Sequence, residues 1–400
     1  MVSELSSRIL NSIESVIRFN ENTKTIPLHE PFFDDTNAWK YVKDCIDTGW
    51  VSSAGDWVNK FEEEICSYTG SPYAVVVNNG TVGLRLALHV LGVRYGDEVL
   101  LPPYSFVATA NAVSHLGAIP HFIDIDKHSL SMSPKSLERR LEKIAYKKEG
   151  KVYNRETGRR ISALLPVHVF GIPADLISIA KISKNWGIPI VEDAAEALGS
   201  WIEQKNKRIH CGLIGEVGVI SFNGNKIITT GGGGVVLTKN KKIAKKAKHL
   251  STTAKINHPW EFDHNEIGWN DRLPNLNAAL GLSQLEVLEQ RLLMKRELIN
   301  KYKNAFKNIK EVSFLSNNPK SVSNNWLITI LLNIKDNKIA KNERDFLLES
   351  SHERKIMLRP LWKPLHKLKI YRKSPKSILK EADELENKII CLPSSPQLIK

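Results

Sequence analysis

The sequence predicts an α/β protein whose largely parallel central sheet has helices on both faces, followed by a smaller α+β domain. Between residues 60 and 240, short apolar runs alternate with helix-forming stretches, a pattern typical of parallel sheets. After residue 250, one long helical stretch precedes strand-like segments, which is typical of an α+β domain. A single hydrophobic core stops growing at about 250 to 300 residues, so a chain of 400 residues is expected to form two domains. We expect an N-terminal segment at 1–60 that packs on the domains, a large α/β domain at 61–255 and a small domain at 256–400.

The strands of the expected sheet are short runs that are apolar throughout. Strands buried on both faces have this composition, because neither face meets water. The linking stretches, such as TVGLRLALHVLG at 81–92, favour helices. The second domain should contain the helical stretch 276–306 and the strand 326–334. The strands of the sheet are expected at 74–77, 98–102, 121–125, 163–170, 189–193, 217–222 and 233–238.

Composition places the chain among ordinary globular proteins, with 42% hydrophobic and 25% charged residues. The net charge of +14 would raise the local concentration of any anionic partner. Scattered lysines that only keep the surface solvated would give the same net charge. The four cysteines lie far apart without a CxxC pair, so we expect reduced thiols, a cytoplasmic protein and no metal site. The amphipathic stretch 1–19 is interrupted by charged residues, and we expect neither a signal peptide nor a membrane anchor there.

A lysine beside a glycine run is the first candidate for chemistry. In SFNGNKIITTGGGG, residues 221–234, Lys226 follows a strand and precedes four consecutive glycines, where the backbone can approach a ligand closely. A lysine amine held at such a place can form an imine with an aldehyde and then serve as a base. The segment also fits a glycine-rich loop with a solvent-facing lysine, and alone it does not decide between the two.

Two acidic residues at the end of a strand are the second candidate. Glu192 and Asp193 follow the apolar run PIV, at the sheet edge where open α/β sheets bind ligands. One carboxylate there can pair with a protonated pyridine nitrogen, which makes a cofactor ring a stronger electron acceptor. The alternative is that these acids cap the next helix.

Two turns that follow strands complete the candidate site. The stretch NNGTVGLRLAL at 78–88 begins a helix, whose free N–H groups and positive dipole end suit one phosphate. It lacks the GK[ST] and GxGxxG patterns, so neither ATP nor NAD is favoured, and Thr81 alternatively serves only as an N-cap. In PPYSFVATANAV at 102–113, Phe106 can stack on a planar ring or belong to the core.

Taken in order, these segments resemble the DegT/DnrJ/EryC1/StrS family of sugar aminotransferases, which have the fold-type I aminotransferase architecture. The resemblance runs from about residue 26 to the C-terminus and implies an enzyme that uses pyridoxal phosphate (PLP) and its pyridoxamine form (PMP). The matching segments are IPLHEP, YVKDCIDTGWVSSAGDWVNKFE, NNGT, SFVATANAV, HFIDID, PVHVFG, EDAAEALGS, SFNGNK, TTAK, IGWNDRLPNLNAALGLSQLE, RPLW and LPSS.

The resemblance also implies a role for individual residues. Lys226 is implied to bind PLP as a Schiff base and to be catalytic together with Asp193, which holds the pyridine nitrogen. Glu196 is implied to lie near the phenolic oxygen, and Phe106 to stack on the ring. A homodimer with active sites at the subunit interface is implied as well, so that a monomer is inactive. The phosphate would be held by Gly80, Thr81, Ser221 and the partner subunit's Asn270.

The segments NGNKIITTGGGG, TTAK, RLPNLNAALG and RPLW are similar to the branch that aminates UDP-linked 4-keto-6-deoxy N-acetylhexosamines, on the way to legionaminic acid or bacillosamine-type sugars. This implies transfer of an amino group from an amino acid, expected to be L-glutamate, to UDP-4-keto-6-deoxy-N-acetylglucosamine. The alternatives are a GDP- or dTDP-linked sugar or a 3-keto sugar. Arg359 fits a diphosphate or an ordinary surface salt bridge equally well. The candidate substrate contacts are Trp50, Ser52, Ser53, His168, Arg359 and Trp362.

Two interpretations from other classes are weaker. PMP-dependent sugar dehydratases look similar but have histidine at the lysine position, and Lys226 argues against them. A PLP-fold protein that binds nucleic acid would fit the positive charge, but neither a helix-turn-helix pattern nor a basic-aromatic cluster supports it.

The chain departs from the family pattern at Val82 and Gly83, where two alanines are usual, and at Asn37 and Ala38, where glutamate is common. We expect the first departure to reshape the phosphate-binding turn slightly and the second to loosen a subunit contact.

Overall fold

Helices alternate with strands through most of the chain, as the sequence predicts. The structure, a computed structural model, describes residues 3–18, 25–315 and 318–399. The helices are α1 Glu4–Val16, α2 Ala38–Asp47, α3 Asp56–Thr69, α4 Gly80–Val90, α5 Ala108–Ser114, α6 Pro134–Ile144, α7 Leu176–Trp186, α8 Lys241–Ser251, α9 Asn275–Leu285, α10 Leu288–Ala305, α11 Asn337–Glu353 and α12 Lys380–Leu385. The strands are β1 Tyr73–Val77, β2 Glu98–Leu101, β3 Ile119–Phe122, β4 Ala145–Lys148, β5 Lys151–Asn154, β6 Arg160–Leu164, β7 Val191–Asp193, β8 Trp201–Gln204, β9 Lys207–His210, β10 Val217–Ser221, β11 Gly234–Thr238, β12 Val312–Phe314, β13 Ser321–Val322, β14 Ile328–Leu332, β15 Arg359–Pro360 and β16 Ile389–Leu392.

The central sheet has the strand order β1, β11, β10, β7, β6, β2, β3. Parallel bridges from Leu164 to Ile190 and from Val167 to Asp193 join β6 to β7, so that two groups of strands form one sheet. Neighbouring strands from β10 to β3 are parallel, whereas β11 is antiparallel to both β1 and β10. The prediction of a largely parallel sheet is therefore confirmed. A hairpin of β4 and β5 extends the sheet along the first part of β6.

Both faces of the central sheet are covered by helices, which explains why its strands are apolar throughout. Successive side chains of a strand point to opposite faces. Val75 and Val77 belong to the hydrophobic cluster on one face and Val76 to the cluster on the other. Residues of α4, α5 and α8 pack in the first cluster, and residues of α3, α6, α7 and α9 pack in the second.

The strands β12, β14, β16 and β15 form a second, antiparallel sheet with a core of its own. Residues from α1, α10 and α11 pack against this sheet in a third hydrophobic cluster, so the N-terminal helix packs mainly on the small domain. Leu288 and Leu292 at the start of α10 belong instead to the core of the central sheet, together with α9. The core of the small domain thus begins within α10, and the domain division at residue 256 stays a prediction.

The N-terminal stretch forms α1, whose apolar face is buried at Ile9, Leu10 and Ile13. Residues 1, 2 and 19 of that stretch lie outside the described residues. Within the described ranges, every helix is too short or too polar to cross a membrane. The four cysteines are free thiols.

Gly83 lets α4 pack closely on the central sheet. A Cβ atom at this position would lie 2.8 Å from Cγ1 of Val219 and 3.3 Å from Cγ2 of Val77. The departure from alanine at residue 83 therefore affects helix–sheet packing, and its expected effect on the phosphate-binding turn stays a prediction. At the other departure, Nδ2 of Asn37 donates to Oε2 of Glu286 at 2.9 Å, within the same chain.

Candidate active site

The cofactor residues that the sequence suggests meet where strands of the central sheet end. They lie around one cavity of about 290 Å³. Thr81 follows β1, Phe106 follows β2, Asp193 ends β7 and Ser221 ends β10, so the topology of the sheet brings them together. The small domain contributes further lining residues from β15 and the loops beside it. Of the candidate residues, the cavity contains Gly80, Thr81, Phe106, Asp193, Glu196, Ser221, Lys226, Arg359 and Trp362.

One end of the cavity is formed by the first turn of α4. Asn79 is the N-cap, because its side chain accepts a hydrogen bond from the Val82 amide at 3.0 Å, so Thr81 does not have that role. The first amides of a helix have no partner within the helix and attract anions. A Cβ atom at Gly80 would lie 3.0 Å from Cβ of Ser221, so only bare backbone fits beside that hydroxyl. Amides and hydroxyls around a concave turn fit a phosphate group.

A buried carboxylate, Asp193, lies in the same cavity. The Thr109 hydroxyl donates to Oδ2 of Asp193 at 2.6 Å, and the Ala195 amide donates to Oδ1 at 3.1 Å. Burial raises the pKa of Asp193, and these two hydrogen bonds partly offset that effect. A cationic ring nitrogen beside the carboxylate would favour its charged form, so the site fits the pyridine nitrogen of PLP. Thr109 was missed by the sequence argument, although it follows Phe106 by about one helical turn.

The neighbouring acid, Glu192, points away from the cavity and braces the loop that leads into β10. Its carboxylate accepts hydrogen bonds from the amides of Gly212, Ile214 and Gly215 at 2.6, 2.6 and 2.5 Å. His168 donates a further bond from Nε2 at 3.0 Å. Burial alone would raise the pKa of Glu192, but these bonds outweigh burial and the pKa lies below its ordinary value.

His168 is completely buried and does not line the cavity. The Ala174 amide donates to its Nδ1 at 3.1 Å, so the ring has its proton on Nε2, which faces Glu192. Its own amide donates to the Asp193 carbonyl at 3.0 Å. His168 therefore lies behind Asp193 in this chain, away from the cavity where the sequence suggested a substrate contact.

Lys226 points into the cavity, and its side chain is only 12% exposed. A solvent-facing lysine, the alternative left open by the sequence, does not fit this placement. Nζ of Lys226 lies 3.3 Å from Oε1 of Glu196, whose other oxygen accepts from the Phe170 amide at 2.7 Å. Burial raises the pKa of Glu196, and Lys226 and the Phe170 amide counteract it. Phe170 adopts a left-handed backbone conformation with φ of 57°, which residues with a side chain rarely adopt.

A tryptophan from the small domain, Trp326, forms the wall beside this lysine. The Nζ atom of Lys226 lies 3.9 Å from the centre of the Trp326 ring. The indole N–H donates to the carbonyl of Asn225 at 2.6 Å. The sequence argument missed Trp326, because a tryptophan just before a strand looks like an ordinary core residue and lies far along the chain from Lys226.

Besides His168, four candidate residues lie outside the cavity in this single chain: Trp50, Ser52, Ser53 and Asn270. The loop with Trp50 and Ser52 is fixed to the start of α9, since their carbonyls accept from the Asn275 side chain and amide, both at 2.7 Å. Asn270 is exposed, and its carbonyl accepts from the Asn78 side chain at 3.3 Å. All four therefore lie in surface loops near α9, outside the cavity of their own chain.

Comparison with known proteins adds the family. The family model described as "DegT/DnrJ/EryC1/StrS aminotransferase family" matches residues 34–400. EpsN of Bacillus subtilis, whose name assigns it to the pyridoxal phosphate-dependent aminotransferases, is 34% identical over 362 residues, which cover 90% of this chain and 88% of that protein. GDP-perosamine synthase of Escherichia coli O157:H7 is 33% identical over 377 residues, 94% of both chains.

A solved structure is similar over the same extent. PseC of Helicobacter pylori, an aminotransferase involved in the biosynthesis of pseudoaminic acid, superimposes with a TM-score of 0.80 and 27% sequence identity. The superposition covers 92% of this chain and 94% of PseC, and so includes both the central sheet and the small domain. The fold-type I architecture that the sequence suggested is thereby confirmed.

Proposed function

This chain belongs to the DegT/DnrJ/EryC1/StrS family of PLP-dependent sugar aminotransferases, and on that premise we propose that it transfers an amino group from L-glutamate to UDP-4-keto-6-deoxy-N-acetylglucosamine. One observation carries the proposal: a single cavity holds the Lys226 amine, the buried Asp193 carboxylate and the amide turn at Gly80. The names of two relatives, GDP-perosamine synthase and PseC, also point to nucleotide-linked or related sugars as substrates. The net charge of +14 suits a diphosphate-linked substrate.

PLP fits the cavity, and the residues around it would hold each part of the cofactor. Bound PLP supplies an aldehyde that receives the amino group and a ring that accepts the electron pair of the reacting carbon. Gly80, Thr81 and Ser221 would bind the phosphate, and Phe106 would lie on the ring face. Asp193, oriented by the Thr109 hydroxyl at 2.6 Å, would pair with the ring nitrogen.

Lys226 has two roles in the proposed reaction. Its Nζ would hold the cofactor aldehyde covalently. Once free of the cofactor, the same Nζ would take the proton from one carbon and return it to another. Glu196, 3.3 Å from Nζ, orients the amine and would approach the phenolic oxygen of the cofactor. The low exposure of Lys226 keeps water away from this proton transfer.

The substrate contacts are the outer part of the proposal. Arg359 and Trp362 line the cavity, and a guanidinium group there can bind a diphosphate through charge-assisted hydrogen bonds. Trp50, Ser52 and Ser53 would join them from the surface loop beside α9.

We further infer a homodimer, in which the partner subunit's Asn270 reaches the cofactor phosphate. Large apolar side chains are exposed on this chain, among them Trp39 at 83% and Ile267 at 90%, and a second copy would cover such groups. The proposal places the enzyme in the cytoplasm, where its free thiols stay reduced.

An absorbance experiment tests the proposal. Purified protein loaded with PLP should show the visible-edge band of lysine-bound PLP, lose it with L-glutamate and regain it with UDP-4-keto-6-deoxy-N-acetylglucosamine. Loss of the band with glutamate but no return with this sugar would support aminotransferase activity and reject this sugar as the substrate. Failure to form the band would reject the role of Lys226.

A second candidate substrate is a GDP- or dTDP-linked 4-keto sugar, or a 3-keto sugar. The similarity to GDP-perosamine synthase favours the GDP-linked sugar among these. The same experiment separates the candidates when each sugar is added in turn to protein that glutamate has bleached, because only the true acceptor restores the band quickly.

A further inference from the structure

Trp326 is held more firmly than its place in a loop before β14 would require. It is 3% exposed, and its indole N–H bonds to the Asn225 carbonyl at 2.6 Å, one residue before Lys226. Its amide donates to Oδ1 of Asn324 at 2.8 Å, and its carbonyl accepts from Nζ of Lys295 at 3.2 Å. Side chain, amide and carbonyl of this one residue are thus all fixed.

Asn324 ties the loop with Trp326 to the segment with Glu196. Nδ2 of Asn324 donates to the carbonyls of Glu196 and Leu198, both at 2.8 Å. Its side chain also approaches Gly171 so closely that a Cβ atom on Gly171 would lie 1.9 Å from Oδ1 of Asn324. The indole ring and the Glu196 carboxylate, which are the two groups beside the Lys226 amine, therefore keep a fixed distance from each other.

Lys295 supports this arrangement from within the protein. It is fully buried on α10, and its amine also contacts the carbonyl of Ser394 in the C-terminal segment. Burial lowers the pKa of Lys295 to about 7. Both the charged and the neutral amine have N–H donors, so the bond to the Trp326 carbonyl survives loss of the proton.

We propose that Trp326 is a positioning residue for Lys226, and that Lys295 fixes Trp326 from behind. The face of an aromatic ring attracts a cationic amine, and the Glu196 carboxylate attracts it from a second direction. This carboxylate, 3.3 Å from Nζ, would also take the proton that the amine must lose before it bonds to an aldehyde. A free lysine side chain has many rotamers, and a fixed ring beside it removes most of them. The amine is then held in the cavity whenever it is not bonded to the cofactor. This inference rests on the proposed role of Lys226.

The test measures how fast the amine bonds to PLP, without using turnover. Apo-protein is mixed with PLP, the bond is trapped with borohydride at successive times, and the labelled peptide is identified by mass spectrometry. We expect attachment at Lys226 to be about tenfold slower in Trp326→Leu, and about threefold slower in Trp326→Phe and Lys295→Met. The control is Lys303→Met, an exposed lysine on the same helix, which should attach PLP at the wild-type rate.

A second measurement separates positioning from general damage to the cavity. In a Lys226→Ala background, the affinity for PLP should be the same with and without Trp326→Leu, because the inference assigns the indole to positioning the lysine and not to binding the cofactor. Wild-type attachment rates in Trp326→Phe and Lys295→Met would overturn the inference, even if Trp326→Leu fails to fold. A wild-type protein that does not attach PLP at Lys226 would instead reject the proposed function.

Discussion

The two sides of the cavity are built in different ways. The inner wall, which we define as Asp193, Glu196, Lys226 and Trp326, is buried except for the partly exposed Lys226, and each of its members is bonded within the chain. The outer rim, defined as Trp50, Ser52, Phe106 and Asn270, is exposed in the single chain, and of these four residues only Phe106 lines the cavity of that chain. The inner wall is complete in one chain, whereas the outer rim exposes two large apolar side chains, Trp50 and Phe106, which a second copy would cover in the proposed homodimer.

This difference separates two kinds of residue in the proposed reaction. Residues of the inner wall are fixed before any ligand arrives, which suits groups that must meet the cofactor at set distances. Residues of the rim lie on loops, where sequence and shape vary most easily. Chemistry should therefore depend on the inner wall, and subunit contact and choice of substrate on the rim.

Removal of the inner-wall amine should have the largest effect. Lys226→Ala should lower turnover by a factor on the order of 10⁴ or more, because both the covalent bond and the proton transfer are lost. Amino transfer to the sugar, followed by chromatography, measures the change, and Lys303→Met is the control on an exposed lysine. Turnover close to that of the wild type would mean that the inner wall is not where the chemistry occurs.

The rim can be tested by mixing two inactive chains. The variants Lys226→Ala and Asn270→Ala should each have low aminotransferase activity on their own. A dimer with one chain of each variant has one active site in which the lysine and the partner's asparagine are both intact. Random pairing should then restore about a quarter of the wild-type activity. Activity is measured after the two proteins are unfolded together and refolded. An absence of recovery, with mixed dimers verified by mass, would place Asn270 outside the partner's site.

Behind the inner wall, Glu192→Gln should destabilise the protein by about 2–3 kcal/mol at pH 7, since an amide cannot accept all the bonds that Glu192 accepts. The pKa of Glu192 is lowered in the folded state, so its stabilising effect is complete above the unfolded pKa and is lost as the pH falls through the folded pKa. Urea unfolding should therefore show a smaller difference from the wild type at acid pH. Glu203→Gln, on an exposed strand position, is the control, and equal stability of both variants at pH 7 would contradict the argument.

Gly83→Ala should have the smallest effect, because it alters only the packing of α4 on the sheet beneath both sides of the cavity. We expect the free energy of unfolding to fall by about 1 kcal/mol, because the new Cβ would lie 2.8 Å from Cγ1 of Val219 and the neighbouring side chains must shift. A double-mutant cycle with Val219→Ala, measured by urea unfolding, tests this contact. Val219→Ala removes the Cγ1 atom, so Gly83→Ala should cost less stability in that background than in the wild type. Additive losses would mean that the contact is not the cause.

The sequence was sufficient for most of the central sheet and for part of the inner wall. Each expected strand occurs, because strands buried on both faces have a distinctive composition, although the strand expected at 163–170 overlaps β6 only at its first two residues. Lys226 and Asp193 were found since each ends or follows such a strand. Trp326 was not, because its position depends on how Asn324 packs against Gly171, and no local pattern encodes that contact.

Two other expectations depended on tertiary packing in the same way. His168 lies in a recognisable segment, but the buried bond to Glu192 turns it away from the substrate side. The long helical stretch 276–306 was expected to continue without a break, yet it divides at Glu286 and Val287 into α9 and α10. Neither proline nor glycine occurs at that point, so the sequence gives no local signal. The division follows from α9 packing in the core of the central sheet while most of α10 turns to the small domain.

The antiparallel strand β11 has a consequence for how the chain reaches this state. The strand β1 pairs in the sheet with β11, although the two lie far apart in sequence. During synthesis, β1 leaves the ribosome long before β11 has been made, so its apolar residues stay without their strand partner until then. Folds that depend on such distant pairings form slowly and expose sticky surface for longer. The cofactor cavity is lined both by residues that follow β1 and by Trp326, so it can be complete only after the chain beyond residue 326 has been synthesised.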